Sequence, residues 1–312
     1  MRALALAFVL ASVASRAETP VATLPLPCES RQQELSPDGG AVAVRCGDGT
    51  LRLLAIPSGK ELHRFPAEPE RSSIAFSRDG RWFAIGYRSG KVRVVPTSGT
   101  GPAREWQASD RRIEEILVPA GGKELLVVPL GRDTQVWRLA ARPQLVTSLP
   151  SGVGEATAMD LSADGALLVS ATGDTEIRFY DTQTWKQIRS YPDLVLETFA
   201  VAFTRDQTRV LIAGADKQIT LLDAATGKLA RALPRQEDPV RQLIPLDDGD
   251  SVVAIYFDAD GKRPPHPLLW SLKAGTARPP DLSRQPTGGG LVRGELWLLS
   301  SAKGQTLEIW KR

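Results

Sequence analysis

Histidine and cysteine, the side chains that most often bind transition metals or act as nucleophiles, are scarce in this 312-residue chain, which has two of each. A catalytic zinc ion needs three protein ligands of nitrogen, sulfur or oxygen type and one open position. We therefore expect no metal site of this kind. His266 lies between prolines, in Pro264-Pro265-His266-Pro267, and we interpret it as an exposed loop residue.

Short segments that resemble calcium or phosphate sites are better interpreted as turns. Asp258-Ala259-Asp260-Gly261 has acidic residues at calcium-loop spacing, but the other ligands and the closing Glu of such a loop are missing. Ser58-Gly59-Lys60 and Thr226-Gly227-Lys228 look like the end of a phosphate-binding loop, yet neither has a Gly five residues before its own Gly. No Gly-x-Ser-x-Gly nucleophile motif is present. We expect no cofactor.

The N-terminus has the pattern of a secretory signal peptide, in residues 1–17. A basic residue precedes an apolar run over residues 3–14, and small residues before Glu18 offer a cleavage site. The run is shorter than the ~20 residues of a transmembrane helix, so an uncleaved anchor is the weaker interpretation. The mature protein is therefore expected to be periplasmic or secreted, with no membrane span.

The net charge argues against nucleic acid as a partner. The chain has 39 Lys and Arg against 36 Asp and Glu, a formal charge of +3. Removal of Arg2 and Arg16 with the signal leaves 37 against 36, a charge of +1. Nucleic-acid binding normally needs a concentrated positive surface, and no run of Lys or Arg supplies one.

The two cysteines, Cys28 and Cys46, are predicted to pair. A Ser-Pro-Asp-Gly turn near Asp38 reverses the chain and places Cys46 opposite a residue near position 30, close to Cys28. A disulfide there would join the N-terminal segment to the first hairpin, and the oxidising compartment that the signal indicates favours it. Two free thiols are the alternative.

An apolar strand followed by a turn recurs seven times. The best copies of the turn have Asp-Gly after Ser or Pro, which suits a tight turn because Gly accepts a positive φ and Asp caps the backbone. The steps between copies are 41, 42, 43, 42, 42 and 45 residues, which indicates an internal repeat. The copies are counted from Ser36, Ser77, Pro119, Ser162, Thr204, Leu246 and Leu291.

Each repeat predicts four strands, the fourth of which often ends in an apolar residue and proline. The last repeat lacks a fourth strand, so residues 21–27 are predicted to complete it and to close a ring. Of the 312 residues, 295 remain after the predicted signal is removed. Divided among seven repeats they give about 42 residues each, which is the length of a propeller blade. We predict an all-β fold, a single seven-bladed β-propeller of four-stranded antiparallel blades. The predicted blades are approximately 28–68, 69–110, 111–152, 153–198, 199–238, 239–285 and 286–312.

One segment has conflicting signals. Ile113, Ile116 and Leu117 have helical spacing, but the repeat register makes this segment the inner strand of the third blade. We therefore predict a strand.

The units resemble WD40 repeats over essentially the whole mature chain. The best copy runs over residues 158–181 and ends in Tyr180-Asp181, where the family has Trp-Asp. The family's Gly-His is absent from every blade, since the only histidines are His63 and His266. Its buried Asp-His-Ser-Trp network therefore cannot form, and the resemblance is to the divergent WD40-like propellers of bacterial exported proteins, with blades held together by apolar packing. The resemblance also implies structural turn aspartates, at Asp48, Asp174 and Asp216.

The resemblance implies a rigid scaffold that binds partners on its loop faces. We predict a monomer that binds a protein or peptide on the face formed by the connections entering each inner strand and by the turns between second and third strands. The alternative is a propeller hydrolase or lactonase-like enzyme that uses channel-lining carboxylates or calcium. The candidate partner-binding residues are Glu70, Arg71, Arg88, Trp106, Arg111, Arg112, Arg132, Glu155, Asp193, Arg235, Asp238 and Arg241.

Overall fold

A computed structural model of the chain describes ten segments, which contain strands and turns and no helix. Within those segments no helix has the length and hydrophobicity needed to cross a membrane. The predicted signal, residues 1–17, lies outside them. The described residues are 20–66, 73–119, 121–152, 156–192, 197–246, 248–257, 266–279, 288–292, 295–302 and 306–311.

The strands are short and rich in β-branched and aromatic residues, as half-buried pleated surfaces require. The first half of the chain forms β1 (Ala22–Pro25), β2 (Ser30–Leu35), β3 (Ala41–Cys46), β4 (Leu51–Ala55), β5 (Glu61–Phe65), β6 (Ser73–Phe76), β7 (Trp82–Gly86), β8 (Lys91–Pro96), β9 (Arg104–Gln107), β10 (Ile113–Leu117), β11 (Glu124–Pro129), β12 (Thr134–Arg138) and β13 (Gln144–Leu149). The second half forms β14 (Ala156–Leu161), β15 (Leu167–Thr172), β16 (Ile177–Asp181), β17 (Lys186–Tyr191), β18 (Thr198–Phe203), β19 (Arg209–Gly214), β20 (Ile219–Asp223), β21 (Leu229–Ala232), β22 (Val240–Pro245), β23 (Ser251–Tyr256), β24 (His266–Ser271), β25 (Thr276–Arg278), β26 (Gly288–Val292), β27 (Glu295–Ala302) and β28 (Thr306–Lys311).

These strands form seven four-stranded antiparallel sheets, which confirms the predicted all-β propeller architecture. Blades 1 to 6 are the consecutive sets of four from β2 to β25, and blade 7 has the order β1-β28-β27-β26. The first strands of neighbouring blades contact each other, as β14 does with β18 and β2 with β26, so these strands form the centre of the ring.

The ring is closed by the N-terminal strand, which joins the last blade. In β1, Ala22 lies opposite Ile309 and Leu24 lies opposite Leu307. Leu24 and Leu307 are fully buried and pack in one cluster with Val42 of blade 1. Pairing of the two ends of the chain in one sheet leaves this blade with its full four strands.

The predicted disulfide between Cys28 and Cys46 is present, with Cα atoms 5.6 Å apart. Ser30 lies opposite Cys46 in the register of β2 and β3, as the position of the first turn predicts. The disulfide links the segment just after β1 to the second strand of blade 1. The disulfide therefore holds the closing strand to blade 1, while its pairing with β28 holds it to blade 7.

The turn between the first and second strands explains why the repeat has Ser-x-Asp-Gly. The Ser36 hydroxyl donates to Asp38 Oδ1 at 2.6 Å and accepts the N–H of Ala41 at 2.9 Å. Gly39 has φ 72°, a left-handed conformation that favours glycine. Equivalent Ser–Asp bonds occur at Ser77 with Asp79 and in other blades.

Apolar clusters lie between neighbouring blades. Phe65 of blade 1 packs against Phe83 of blade 2, and Phe179 of blade 4 shares a cluster with Phe203 of blade 5. Burial of such side chains contributes about 1.5–3 kcal/mol each. This packing contributes to blade cohesion, as the resemblance implies.

Polar bonds between blades supplement the apolar packing. On the outer strands, Arg231 donates to the carbonyl oxygens of Leu272 at 3.0 Å and Lys273 at 2.6 Å, in the next blade. Arg189 makes the same kind of bond to the Ala224 carbonyl at 2.6 Å. The apolar-packing expectation is therefore incomplete, because long basic side chains also connect each of these blades to its neighbour.

Candidate functional site at the channel mouth

The first strand of five blades contains a β-bulge one residue after its start. The register shifts occur between Ser30/Gln32, Ile113/Glu115, Ala156/Ala158, Thr198/Ala200 and Val240/Gln242. A bulge leaves one residue out of the ladder and re-aims its side chain. The bulged residues are Arg31, Glu114, Thr157, Phe199 and Arg241.

Four of the five bulged residues line a cavity of about 610 Å³ at the mouth of the central channel. The cavity is on the face formed by the connections entering the inner strands and by the turns between second and third strands. We call it the mouth cavity. Its volume lies within the range of ligand pockets, large enough to hold several side chains of a partner. Its lining is Ser73, Ile74, Arg88, Arg112, Ile113, Glu114, Glu115, Ala156, Thr157, Glu197, Phe199, Arg241 and Phe257.

Blades 5 and 6 supply an aromatic and basic sector of the mouth cavity. Phe199 and Phe257 meet edge to face, with ring centroids 5.8 Å apart, and both are partly exposed. Arg241 is exposed beside them, and its side chain forms no ion pair or hydrogen bond among the described residues. Such a sector suits a partner's apolar side chain next to a carboxylate.

Blade 3 supplies the acidic sector. The Arg112 guanidinium forms an ion pair with Glu114, which satisfies both charges. Glu115 lies deeper, and burial raises its pKa to about 7, an effect that the neighbouring Asp160 carboxylate increases. A carboxyl group with this pKa changes protonation near neutral pH and can accept a bond from a basic group of a ligand.

Asp160 is held by the protein on both of its oxygens. Its Oδ1 accepts the N–H of Leu161 at 2.8 Å, and its Oδ2 accepts the N–H of Phe203, in the next blade, at 2.8 Å. Burial raises the pKa of Asp160, while the nearby Arg78 guanidinium opposes that rise. Asp160 therefore has a structural role between blades 4 and 5.

Glu34 repeats this arrangement between blades 1 and 2. Its carboxylate accepts the N–H of Phe76, at the position equivalent to Phe203. Burial raises the pKa of Glu34 to about 7, and the Phe76 bond lowers it in part. Both carboxylates thus satisfy backbone donors on the inner edges of neighbouring strands.

Three of the predicted partner-binding residues line the mouth cavity: Arg88, Arg112 and Arg241. Arg111 and Arg235 are exposed on the connections that enter blades 3 and 6. Glu70, Arg71, Glu155 and Asp193 fall outside the described residues.

The other predicted residues lie in different surroundings. Trp106 belongs to outer strand β9 and packs against Trp137 of blade 3, with ring centroids 5.6 Å apart, so it is a packing residue. Arg132 pairs with Asp110 at 3.7 Å. Asp238 is 7% exposed, which makes it a buried residue of the connection into blade 6.

His266 is not in a loop, contrary to the sequence expectation. It begins β24, opposite Tyr256, and the two rings stack with centroids 5.5 Å apart. Its Nε2 lies 3.8 Å from Asp238 Oδ2. The antiparallel pairing of β23 and β24 extends to position 266, which the adjacent prolines obscure in the sequence. The acidic segment 258–261 lies outside the described residues.

The three turn aspartates all bond to their own blades. Asp48 accepts the Thr50 N–H at 2.9 Å and the Thr50 hydroxyl at 2.7 Å, and these bonds lower its pKa. Asp174 pairs with Arg178, and Asp216 accepts the N–H of Gln218 at 3.3 Å. Among the described residues, no three His, Cys, Asp or Glu side chains are grouped so that they could hold a metal ion.

The sequence model of the WD domain, G-beta repeat (WD40) family matches residues 59–95. Two solved structures share the fold: the β-propeller domain of Cps50 (Swd1) from Myceliophteria thermophila, with TM-score 0.71 and 14% identity over 93% of this chain and 99% of that one, and a chain of the Mitotic Checkpoint Complex, with TM-score 0.74 and 19% identity over 100% and 99%. These findings support a WD40-type β-propeller.

Two curated relatives match part of the chain. Cilia- and flagella-associated protein 52 of Chlamydomonas reinhardtii is 28% identical over 219 residues, 68% of this chain and 35% of the relative. A U3 small nucleolar RNA-associated protein 15 homolog of Xenopus tropicalis is 25% identical over 167 residues, 53% of this chain and 32% of the relative. This chain thus spans about a third of the length of these relatives. Both are eukaryotic, and neither supports the bacterial exported type of propeller expected from the sequence.

Sequence reasoning missed Glu114, Thr157 and Phe199, although a signal for them exists. Each bulged residue lies five positions before the residue from which its repeat is counted, as Thr157 does before Ser162. The repeat register alone could therefore have selected this ring of positions, because a bulge that recurs from blade to blade has a fixed place in the strand.

Proposed function

We propose that this chain is an exported, non-enzymatic scaffold that binds a peptide segment of a protein partner in the mouth cavity. The observation that carries the proposal is the ring of bulged residues, four of which face one cavity of about 610 Å³. A propeller holds the backbone of these strands rigidly, so little backbone entropy is lost when a partner binds.

The chemistry of the cavity favours a peptide over a small uniform ligand. An aromatic and basic sector at Phe199 and Arg241 faces an acidic sector at Glu114 and Glu115. A peptide can present an apolar, an acidic and a basic group at once. Because the charges of the cavity have both signs, they give little long-range electrostatic steering of a partner. We also propose that the protein is a monomer and that it does not bind nucleic acid.

Export is supported by the N-terminal pattern together with the Cys28–Cys46 disulfide. Disulfides persist in oxidising compartments such as the periplasm or the extracellular space. Mass spectrometry of the protein recovered from its source would show a mature N-terminus near residue 18. A full-length chain retained in the cytoplasm would refute export without touching the binding proposal.

The binding proposal is tested by cross-linked affinity capture with residues 18–312 from an envelope or extracellular extract. The Arg88→Glu/Arg241→Glu variant is run beside the wild type, with Lys60→Glu/Lys228→Glu as a matched control on turns of the opposite face. We expect one specific protein, cross-linked to residues around the cavity, that is lost with the first variant and kept with the control. Equal capture by all three proteins, with thermal unfolding unchanged, would refute the mouth cavity as the binding site.

The structure does not favour the alternative of a carboxylate hydrolase. Glu115 and Asp160 are neighbours, but backbone N–H groups and Arg78 occupy the Asp160 oxygens. Glu34 is on blade 1 and is likewise bonded to the backbone. Of the glutamates that line the mouth cavity, Glu114 is paired with Arg112.

A further inference from the structure

A second cavity, of about 600 Å³, opens between blades 3 and 4 on the face opposite the mouth. The turns between first and second strands and between third and fourth strands of the two blades form its walls. We call it the lower cavity. Leu139, Ala140 and Trp185 supply much of its apolar surface, and Lys123 and Arg138 lie at its border.

Trp185 has an unusual position in the lower cavity. The φ of Trp185 is 55°, and its backbone N–H donates to the Asp181 carbonyl oxygen at 2.7 Å. In blades 1, 5 and 6 the residue with the same bond is a glycine with positive φ: Gly59, Gly227 and Gly275. A bulky residue rarely adopts this conformation, and such strain is found mostly at functional positions. Blade 4 therefore has a strained tryptophan where blades 1, 5 and 6 have no side chain.

The basic groups at the lower cavity have no partners in the described part of the chain. Lys123 and Arg138 are exposed and form no ion pair or hydrogen bond there. Of the two acidic groups at the border, Asp164 is occupied by the Ser162 hydroxyl at 2.6 Å and the Ala166 N–H at 3.0 Å, which keep its pKa low. Glu124 lies opposite Arg138 in the strand register but forms no ion pair with it.

Exposed aliphatic side chains also lie on the outer strands of blades 3 and 4. Leu145 and Val146 of β13 are 50% and 38% exposed, and Ile188 of β17 is 49% exposed. Gln144, adjacent to Leu145, pairs with Arg138, so Leu145 lies near the border of the cavity. An exposed aliphatic residue beside a pocket adds apolar area that a partner can cover.

We propose that the lower cavity is a second binding site, for a peptide segment of a protein partner that carries carboxylates beside an aromatic or aliphatic anchor. The anchor packs over the exposed Ala140 and against the edges of Trp185 and Leu139, which are 9% and 7% exposed, and the carboxylates pair with Lys123 and Arg138. Lys123 and Arg138 have no partner among the described residues, whereas Asp164 is already bonded by Ser162 and Ala166, and this favours a ligand carboxylate. A flat membrane surface does not enter a cavity between two blades, and a second copy of the same patch would place cations against cations.

The test is selection of a displayed random 12-residue peptide library on the full chain, followed by fluorescence anisotropy with the selected peptides. We expect peptides with at least two carboxylates beside an apolar residue. The Lys123→Glu/Arg138→Glu variant should weaken their binding at least tenfold. Ala140→Glu, which fills the cavity from an exposed position and adds a negative charge, should do the same. Arg88→Glu/Arg241→Glu should bind them as the wild type does, so this site can fail without the mouth cavity failing, and the reverse.

Several outcomes would overturn the proposal. The first is that the selection recovers no such peptides. The second is that the selected peptides lose binding to Arg88→Glu/Arg241→Glu instead of to Lys123→Glu/Arg138→Glu. The third is that peptides with Lys in place of their acidic residues bind equally well. Binding to phosphatidylglycerol vesicles without peptide binding would assign the surface to a membrane, and a dimer abolished by Ala140→Glu would assign it to a second copy. Circular dichroism and unchanged thermal unfolding identify variants that remain folded.

Discussion

Arg78 of blade 2 forms an ion pair with Asp160 of blade 4 at 3.6 Å, although blade 3 lies between these two blades in the ring. The same guanidinium donates to the Ser162 carbonyl, at the end of the inner strand of blade 4. Since most contacts in a propeller join neighbouring blades, this pair connects two blades that are not adjacent. It also sets the electrostatic environment of the channel beneath the mouth cavity.

We expect Arg78→Met to lower the free energy of unfolding by about 1 kcal/mol, because both partners are partly exposed. A double-mutant cycle with Asp160→Asn, measured by urea unfolding at pH 7, should show a coupling energy of roughly 0.5–1 kcal/mol. Arg81→Met, in the same turn, is the matched control and should change little. A zero coupling energy would mean that the pair adds nothing to the ring.

Glu115 should make stability depend on pH. Its folded pKa of about 7 exceeds its ordinary value of 4.5, so the folded state holds the proton more tightly than the unfolded state. This contribution is fully present below about pH 4.5 and is lost as the pH rises through 7. Glu115→Gln, which cannot ionise, should therefore gain stability relative to the wild type between pH 5 and pH 8. Parallel pH profiles for both proteins, with Glu29→Gln at an exposed position as control, would contradict the assignment.

The Cys28–Cys46 disulfide should contribute about 2–4 kcal/mol, the usual range for a short closed loop. Cys28→Ala/Cys46→Ala is expected to unfold at lower urea concentration, because the closing strand is then held only by its pairing with β28 and by apolar packing against blade 1. Intact mass under non-reducing conditions should fall short of the reduced mass by two hydrogens. Reduction of the wild type should reproduce the stability of the variant, and an unchanged midpoint would show that the bond does not stabilise the closure.

Arg231 should stabilise the contact between blades 5 and 6. Arg231→Met keeps most of the apolar stem but loses the bonds to the Leu272 and Lys273 carbonyls, so we expect a loss of about 1–2 kcal/mol in urea unfolding. Lys228→Met is the control, since Lys228 is exposed near the same strand. Equal stabilities of the two variants would indicate that apolar packing alone holds these blades together.

The segment that begins at Ile113 shows how repeat spacing can outweigh a local signal. Its apolar residues have helical spacing, but the segment forms the strand β10. It does so because β11, which follows the turn that recurs in the repeats, pairs with it. His266 shows the opposite case. Flanking prolines indicate a loop, yet the residue pairs with Tyr256 and stacks on it, a contact that local sequence does not reveal.

The sequence by itself determined the number of repeats, the four strands in each, the closing N-terminal strand and the Cys28–Cys46 pair. All of these follow from spacing along the chain and from hairpins between neighbouring strands. Only the tertiary structure decided which side chains meet across the ring: Arg78 with Asp160, Asp160 with Phe203, and Phe199 with Phe257. These contacts join residues 40 or more positions apart, and they depend on blade twist and on the bulges that turn side chains towards the channel, which no local pattern encodes.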